Sequence, residues 1–176
     1  WEYACGRLTY DVNAPQATPE TIFDLASLTK VIATTTILMK LVDTGGITLD
    51  DPLKSWLPSW SDQEKAEVTV VDLLEHTSGL TAHLPFYRDC RGREEFEHQI
   101  CSLPLEYAPR SRSIYSDLGF ILLGFLATDA SHGKDLSDQF DTLVKTLTLG
   151  DLRFRPPATW KSRIAPTEVD HWRGRL

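Results

Sequence analysis

The chain lacks the short motifs that mark several large enzyme classes. Its 176 residues contain no G-x-S-x-G, H-E-x-x-H, G-x-x-x-x-G-K, G-x-G-x-x-G or C-x-x-C pattern. These absences remove the usual signals of an α/β-hydrolase, a zincin, a P-loop protein and a Rossmann protein. The search for a catalytic function therefore narrows to acids, bases and hydroxyl groups.

Cysteines, long apolar runs and clustered basic residues are scarce as well. Cys5, Cys90 and Cys101 are odd in number and widely spaced, which fits neither a disulfide framework nor a tight metal cluster. No apolar run reaches the roughly 18 residues of a membrane span, and a net charge of -7 offers no attraction for nucleic acid. The sequence predicts a protein without a metal, a cofactor, a membrane span or a nucleic-acid partner, and it leaves the oligomeric state open.

The two ends of the chain suggest a piece of a longer protein. It begins at Trp1 without an initiator Met and stops abruptly at Leu176. The first residues carry no export signal. We therefore expect a periplasmic or secreted protein if a signal peptide precedes Trp1, and a cytoplasmic one otherwise.

What is present is the composition of an ordinary globular domain, with 41% hydrophobic and 24% charged residues. Residues 1–12 are rich in β-formers and predict one or two short strands. The apolar spacing over residues 24–44 predicts a long helix that ends at Gly45 and Gly46. The remaining predicted elements are a helical turn at 53–57 after Pro52, a helix opened by a Thr69–Asp72 capping box and ended at Gly79, and helices at 93–102, 118–130 and 137–147. Extended chain is expected after Pro156 and Pro157.

These elements indicate an α+β fold, helix-rich, with most of its sheet absent from the chain. We expect one incomplete domain over residues 1–176. Within it, amino-terminal strands occupy 1–23, a helical region occupies 24–150 and an extended return segment occupies 151–176.

Ser27 and Lys30 form an S-x-x-K pattern at the start of the long predicted helix. A spacing of three places both side chains on one helical face, so the amine can reach the hydroxyl. A serine is a weak nucleophile unless a base takes its proton, and a lysine whose pKa is lowered by burial can serve as that base. The alternative is a serine in the first turn of the helix with a solvated lysine. A second S-x-x-K pattern, Ser131 to Lys134, lies in a polar stretch that is more typical of a loop.

Tyr115, Ser116 and Asp117 precede the most apolar predicted helix. A tyrosine near a lysine can carry a proton, because a nearby cation stabilises its phenolate. The alternative is structural, with Ser116 as the N-cap, Asp117 as a favourable acid in the first turn and Tyr115 packed at the helix entry.

The histidines and a group of arginines have simpler interpretations. His76 precedes Ser78, but we interpret this stretch as a helix end closed by Gly79 rather than as a Ser–His pair. The other histidines are interpreted as isolated and exposed or structural; they are His83, His98, His132 and His171. Arg88, Arg91 and Arg93 are interpreted as a solvated basic loop.

Taken together, four segments resemble the β-lactamase-related serine hydrolases, a family that includes class C β-lactamases, penicillin-binding carboxypeptidases and related esterases. The segments are TIFDLASLTK at 21–30, GITLDDP at 46–52, LLEHTSGL at 73–80 and YSD at 115–117. RIAPTE at 163–168 and WRGR at 172–175 also resemble stretches of esterase-like members. The resemblance implies a β-lactamase/transpeptidase-like fold with an antiparallel sheet.

The resemblance also implies a role for each residue of the site. Ser27 would form an acyl-enzyme with an ester, amide or β-lactam, and its backbone N–H would be half of the oxyanion hole. Lys30 would help to deprotonate Ser27, and Tyr115 would relay the proton to the leaving group. Asp117 would contact Lys30 or the substrate.

The chain departs from the family pattern in two ways. Asp117 is an acid where the antibiotic-hydrolysing members have an amide, so it can pair with Lys30 as an ion and raise the pKa of that lysine. The third family motif, a Lys or His followed by Ser or Thr and Gly on an edge strand, is expected beyond residue 176. We therefore expect little activity from the 176-residue chain alone. A non-catalytic binding or regulatory module with the same fold is the alternative function.

Overall fold

A computed structural model describes residues 1–167 of the chain. The chain divides into two compact units. One contains Trp1–Leu28 together with the segment from Phe154 onward, and the other contains Thr29–Arg153. The α-helices of the described chain all belong to the second unit.

The Thr29–Arg153 unit is built mainly of helices. A π-helical segment, Lys30–Thr35, leads directly into helix α1, Thr36–Asp43. The other α-helices are α2 (Val70–Leu74), α3 (Gly92–Ser102), α4 (Asp117–Ala130) and α5 (Leu136–Leu147). Short 3-10 turns lie in the connections at Leu53–Ser55, Gln63–Lys65 and Phe86–Arg88.

Threonine hydroxyls accompany the π-helical segment. Thr35 Oγ1 donates to the carbonyl of Lys30 at 2.9 Å, and Thr36 Oγ1 donates to the carbonyl of Val31 at 3.2 Å. Each hydroxyl thus reaches five residues back, which is the spacing of a π-helix. The wider turn begins at Lys30, one of the predicted site residues.

Helix α4 is the centre of this unit. It contacts the π-helical segment, α1, α2, α3 and α5. Leu122, Leu123 and Leu126 are fully buried, and Gly119 lets the helix approach Leu73 closely, since an added Cβ would meet Leu73 Cδ2 at 3.4 Å. This packing fixes the amino end of α4 beside α2 and the π-helical segment. Within the described part of the chain, no helix combines the length and apolar character needed to cross a bilayer.

Most predicted helices of this unit are confirmed within one or two residues. The helices expected at 93–102, 118–130 and 137–147 correspond to α3, α4 and α5. Thr69 and Asp72 form the predicted capping box, in which the Thr69 N–H donates to Asp72 Oδ2 at 2.9 Å. Gly45 ends α1 in the left-handed conformation with φ 71°, as predicted.

Two helix boundaries predicted from the sequence are wrong. The helix expected from residue 24 begins only after a turn at Ala26 and Ser27, where Ala26 has φ 45°. The helix expected to reach Gly79 ends at Leu74, and His76, with φ 60°, is the left-handed residue that follows it. Gly79 lies in the next turn, where only glycine fits because an added Cβ would collide with the carbonyl oxygen of Tyr107.

The first unit lacks the predicted strands. Among residues 1–167 there is no β-strand, only isolated bridges that pair Arg7 with Gln16 and Ile22 with Ile164 in this unit, and Pro52 with Thr69 in the other. A strand needs a neighbouring strand to satisfy its N–H and C=O groups, and the described residues provide none. The antiparallel sheet therefore stays a prediction.

The predicted extended segment from residue 151 is interrupted. Ala158–Arg163 forms a 3-10 helix, for which the preceding Pro157 has a suitable φ of -64°. Ile164 then bridges Ile22, and the carbonyl of Ile22 accepts the N–H of Ala165 at 2.8 Å. Residues 168–176, including part of the expected return segment, lie outside the described residues. The single-domain organisation stays a prediction.

Candidate active site

Lys30 and Asp117 form an ion pair where the π-helical segment meets the amino end of α4. Lys30 Nζ lies 2.7 Å from Asp117 Oδ1, and the two side chains are 16% and 37% exposed. Ser116 caps α4, since its Oγ accepts the N–H of Gly119 at 3.2 Å. Asp117 is the first residue of the helix, where the positive end of the helix dipole stabilises a carboxylate.

The ion pair decides the charge of Lys30. Burial lowers the pKa of Lys30, but hydrogen bonds to Asp117 and Tyr115 and the charges of these groups outweigh burial and raise the pKa above 10.5. Burial likewise raises the pKa of Asp117, but the hydrogen bonds from Lys30 and His83 prevail and hold it below 3.8. Both groups are therefore charged at neutral pH. The contact between Lys30 and Asp117 that the sequence suggested is present, and the role of Lys30 in activating Ser27 stays a prediction.

Tyr115 completes a cluster with Lys30 and Asp117. The Lys30 ammonium lies 4.9 Å from the centroid of the Tyr115 ring and 5.9 Å from that of Phe120. Tyr115 is 51% exposed, so its phenol can meet a ligand from solvent. The structure thus brings together Lys30, Tyr115 and Asp117 of the predicted site residues. The structural role expected for Ser116, as N-cap, is fulfilled at the same time.

Ser27 belongs to the other compact unit, Trp1–Leu28 with the segment from Phe154. It is exposed and follows Ala26, whose φ of 45° is unusual for a residue with a side chain. Asp24 Oδ1 accepts the N–H of Ala26 at 2.8 Å, and the carbonyl of Leu25 accepts the N–H of Leu28 at 2.9 Å. These bonds hold a tight turn around the predicted nucleophile, and such strained turns are enriched at functional sites.

Two histidines belong to the cluster and were interpreted otherwise from the sequence. His83 Nδ1 lies 3.0 Å from Asp117 Oδ2, so His83 is exposed but not isolated. The His76 ring lies 4.7 Å from the Tyr115 ring and 5.1 Å from the Phe120 ring, centroid to centroid. No spacing rule joins residues 76 or 83 to 115 and 117. A sequence signal existed only for His76, as a histidine inside the LLEHTSGL segment.

The other candidates lie away from this cluster. Ser131 to Lys134 is a turn after α4, as predicted. Arg93 is not in a solvated loop, since it lies in α3 and binds both carboxylate oxygens of Asp129 at 2.6 Å. His98 and His132 are exposed, and His171 lies outside the described residues. Among residues 1–167, no group of three His, Cys, Asp or Glu side chains is placed to hold a metal ion.

Comparison with known proteins gives a family match over nearly the whole chain. Residues 3–174 match the family model described as Beta-lactamase. The chain is 31% identical over 150 residues to the N-acetylmuramyl-L-alanine amidase of Bacillus subtilis, covering 77% of this chain and 34% of the relative. It is 34% identical over 171 residues to a Salmonella schwarzengrund protein provisionally named a D-alanyl-D-alanine carboxypeptidase, covering 88% and 39%.

Solved structures give the same match at the level of the fold. A class C β-lactamase from Rhodobacter sphaeroides superposes with a TM-score of 0.78 at 24% identity, covering 95% of this chain and 49% of that one. A β-lactamase/D-alanine carboxypeptidase from Yersinia pestis, solved with citrate, superposes with a TM-score of 0.74 at 25% identity, covering 88% and 47%. The chain spans about a third of these curated relatives and about half of these solved structures.

Proposed function

Because the chain belongs to the Beta-lactamase family, we propose that it is the part of a serine hydrolase that carries its nucleophile, Ser27, and its proton-transfer groups. The observation that carries this proposal is the cluster of Lys30, Tyr115 and Asp117 within one compact unit. In this cluster the cation of Lys30 contacts both the carboxylate of Asp117 and the ring of Tyr115, which carries a titratable hydroxyl. Ser27 stands three residues before Lys30 in the S-x-x-K pattern.

The proposed reaction passes through an ester of Ser27. Ser27 Oγ forms a bond to the carbonyl carbon of the substrate as its proton passes to the phenol oxygen of Tyr115. Tyr115 gives its own phenolic proton to the leaving group as the bond between that group and the carbonyl carbon breaks, so Tyr115 ends as a neutral phenol. Water cleaves the ester by the reverse proton route and releases the acid. The backbone N–H of Ser27 supplies one donor to the oxyanion.

Lys30 acts in this proposal as a cation rather than as a free amine. Its raised pKa leaves little neutral amine at neutral pH. An ammonium beside Tyr115 lowers the energy of negative charge on the phenol oxygen and on Ser27 Oγ during proton transfer. Asp117 maintains the charge and the position of Lys30.

The substrate class follows from the proposed chemistry and from the relatives. An acyl-enzyme mechanism serves a small ester, amide or β-lactam. The relatives are named as an amidase, a carboxypeptidase and class C β-lactamases, so we propose an amide or β-lactam related to bacterial cell-wall peptides as the first substrates to test. Esters remain the third class of the screen.

A covalent probe tests the nucleophile without the need for turnover. The purified protein is treated with a fluorophosphonate and, separately, with a fluorescent penicillin, next to Ser27→Ala and to the matched control Ser131→Ala. Ser131 belongs to the second S-x-x-K pattern, in a turn. We expect labelling of the protein and of Ser131→Ala, and its loss in Ser27→Ala.

The same experiment addresses the alternative function. Equal labelling of the protein and of Ser27→Ala would exclude Ser27 as the nucleophile. No labelling with either probe would favour the non-catalytic binding module. Labelling by the phosphonate but not by the penicillin would direct the substrate search toward esters and simple amides.

A further inference from the structure

Position 76 departs from the usual way of ending a helix. Helix α2 ends at Leu74, and the residue that turns the chain into the left-handed region is His76, with φ 60°. Glycine is common there, because a side chain in this region costs about 1 to 2 kcal/mol. A histidine at such a position suggests that its side chain has a use that outweighs the strain.

His76 contacts Tyr115 and the residue on each side of it. The carbonyl of His76 accepts the N–H of Ile114 at 2.9 Å, and Nδ1 of His76 accepts the N–H of Ser116 at 3.0 Å. The two rings lie 4.7 Å apart between centroids. Tyr107 supports the arrangement, since its hydroxyl donates to the same carbonyl of His76 at 3.3 Å. One residue therefore holds the backbone before Tyr115, the backbone after it and the phenol ring.

The bond from Ser116 defines the protonation state of this imidazole. A backbone N–H can only donate, so Nδ1 of His76 must accept, and the proton of the neutral ring is on Nε2. A second proton would turn Nδ1 into a donor that faces the Ser116 donor. Protonation of His76 therefore breaks the bond next to Tyr115.

We propose that His76 is a positioning residue that holds Tyr115 beside Lys30 only while the imidazole is neutral, so that acid releases Tyr115 and slows acylation. This inference rests on the proposed serine hydrolase function. His76 does not touch the reacting atoms in this proposal, and it acts through Tyr115.

The groups around His76 set the pH at which release occurs. Burial lowers the pKa of His76 below 6.5, the nearby Lys30 ammonium lowers it further, and Asp117 acts in the opposite direction. Tyr115 and Tyr107 are titratable side chains that contact His76. Release is therefore expected below pH 6.5, and the new imidazolium would also repel Lys30.

Two substitutions distinguish the effect of the hydrogen-bond acceptor at position 76 from the effect of protonating the imidazole. His76→Asn tolerates the left-handed conformation and offers a side-chain oxygen to the Ser116 N–H, but it does not titrate. His76→Gly also suits this conformation, but it removes the acceptor and the ring. The rate of fluorophosphonate labelling of each variant is measured from about pH 4.5 to 8, around the ordinary range of histidine.

We expect the unsubstituted protein to lose labelling rate as pH falls below 6.5. His76→Gly should be slower at neutral pH, by up to about 100-fold for a misplaced catalytic group, and this difference should narrow as acid releases Tyr115 in the unsubstituted protein. His76→Asn should recover most of this loss and should not show the acid decline near that pH. If the Asn variant shows the same acid decline as the unsubstituted protein, or if Asn and Gly are equally slow, the inference is overturned.

An amide NMR titration distinguishes this inference from the proposed function. The Ser116 amide resonance should shift as His76 is protonated in the unsubstituted protein and should stay constant over the same range in His76→Asn. A Ser116 resonance that ignores pH in both proteins would overturn the inference whatever the labelling shows. Absence of labelling at every pH, with the Ser116 titration as expected, would overturn the proposed function and leave the control of Tyr115 by His76 supported.

Discussion

The two ends of helix α4 each carry an aspartate in an ion pair, and the pairs differ in kind. At the amino end Asp117 binds Lys30 through Oδ1 and His83 through Oδ2. At the carboxyl end Asp129 receives two bonds of 2.6 Å from the guanidinium of Arg93. Arg93 also contacts Glu97 of α3 at 3.2 Å. The Arg93 pair connects α3 to α4 with both carboxylate oxygens bound to one partner.

The difference between a lysine and an arginine partner indicates which ion pair can take part in proton transfer. A guanidinium keeps its proton under all ordinary conditions and binds a carboxylate in a fixed fork, so Arg93 can only hold the two helices together. A lysine amine can lose its proton and can turn toward several partners. Lys30 shares its ammonium between Asp117 and Tyr115. The amino end of α4 is therefore suited to chemistry and the carboxyl end to stability.

The largest expected effect comes from removing each cation in turn. Lys30→Met should reduce the rate of fluorophosphonate labelling by about 1000-fold, the upper end of the loss when one charge-stabilising group is removed. Arg93→Met, which keeps an apolar side chain near the Phe125 ring, should leave the labelling rate unchanged. Labelling rates of both variants at neutral pH, with circular dichroism as a check of folding, measure the contrast. Similar losses in both would remove the distinction between the two ends.

Asp117→Asn should move the alkaline part of the pH–rate profile. The carboxylate supports the raised pKa of Lys30, and burial opposes it. Without the carboxylate, Lys30 should lose its proton at lower pH, and the rate should decline at lower pH than in the unsubstituted protein. Labelling rates between about pH 6 and 11, around the ordinary range of lysine, measure this shift. A rate that instead rises as Lys30 becomes neutral would show that the free amine is the base.

The larger loss of stability is expected on substitution of the other aspartate, Asp129. Asp129→Asn should reduce the free energy of unfolding by about 1 kcal/mol, because Arg93 and Asp129 are about a third exposed and solvent screens the pair. Its labelling rate should stay unchanged. Denaturant unfolding at neutral pH measures the loss, and a larger loss for Asp117→Asn than for Asp129→Asn would reverse the assignment.

The contribution of the Lys30–Asp117 pair to the free energy of unfolding should depend on pH in a characteristic way. The lowered pKa of Asp117 means that its contribution is present above pH 3.8 and is lost as pH falls through the folded-state value. The raised pKa of Lys30 means that its contribution is present below pH 10.5 and is lost as pH rises through the folded-state value. The stability difference between the protein and Asp117→Asn should therefore be widest between these limits and should narrow on both sides. A difference that does not change with pH would contradict the ion pair.

The sequence predicted the helical part of the fold well, because the signals there are local. The apolar run of α4, the Thr69–Asp72 capping box and the glycine after α1 each act within a few residues. The prediction of strands in the first residues was wrong for the opposite reason, because the signals that decide a strand are not local. Residues 1–12 contain β-formers, but a strand depends on partners elsewhere, and the described chain offers Arg7 only a single bridge to Gln16.

The residues of the candidate site could be predicted where they belong to a sequence motif. Lys30, Tyr115 and Asp117 come together as the family resemblance implies. The contribution of His83 was hidden, because it depends on a contact across 34 positions. The role of His76 was hidden for another reason, since a histidine that closes a helix in the left-handed region looks in sequence like any loop residue.

The smallest expected effect concerns the second oxygen of Asp117. His83 is 56% exposed, so its bond of 3.0 Å to Oδ2 should contribute about 0.5 to 1 kcal/mol to the placement of the carboxylate. His83→Ala should therefore slow labelling by about threefold. His83→Asn should restore the rate, because its amide nitrogen can donate from a position close to that of Nδ1. If His83→Ala slowed labelling as much as Lys30→Met, the bonds to both oxygens of Asp117 would be equally necessary. The amino end of α4 would then resemble the carboxyl end, where both carboxylate oxygens hold the ion pair. It would not be a site in which Asp117 Oδ2 can lose its partner with little effect on the rate.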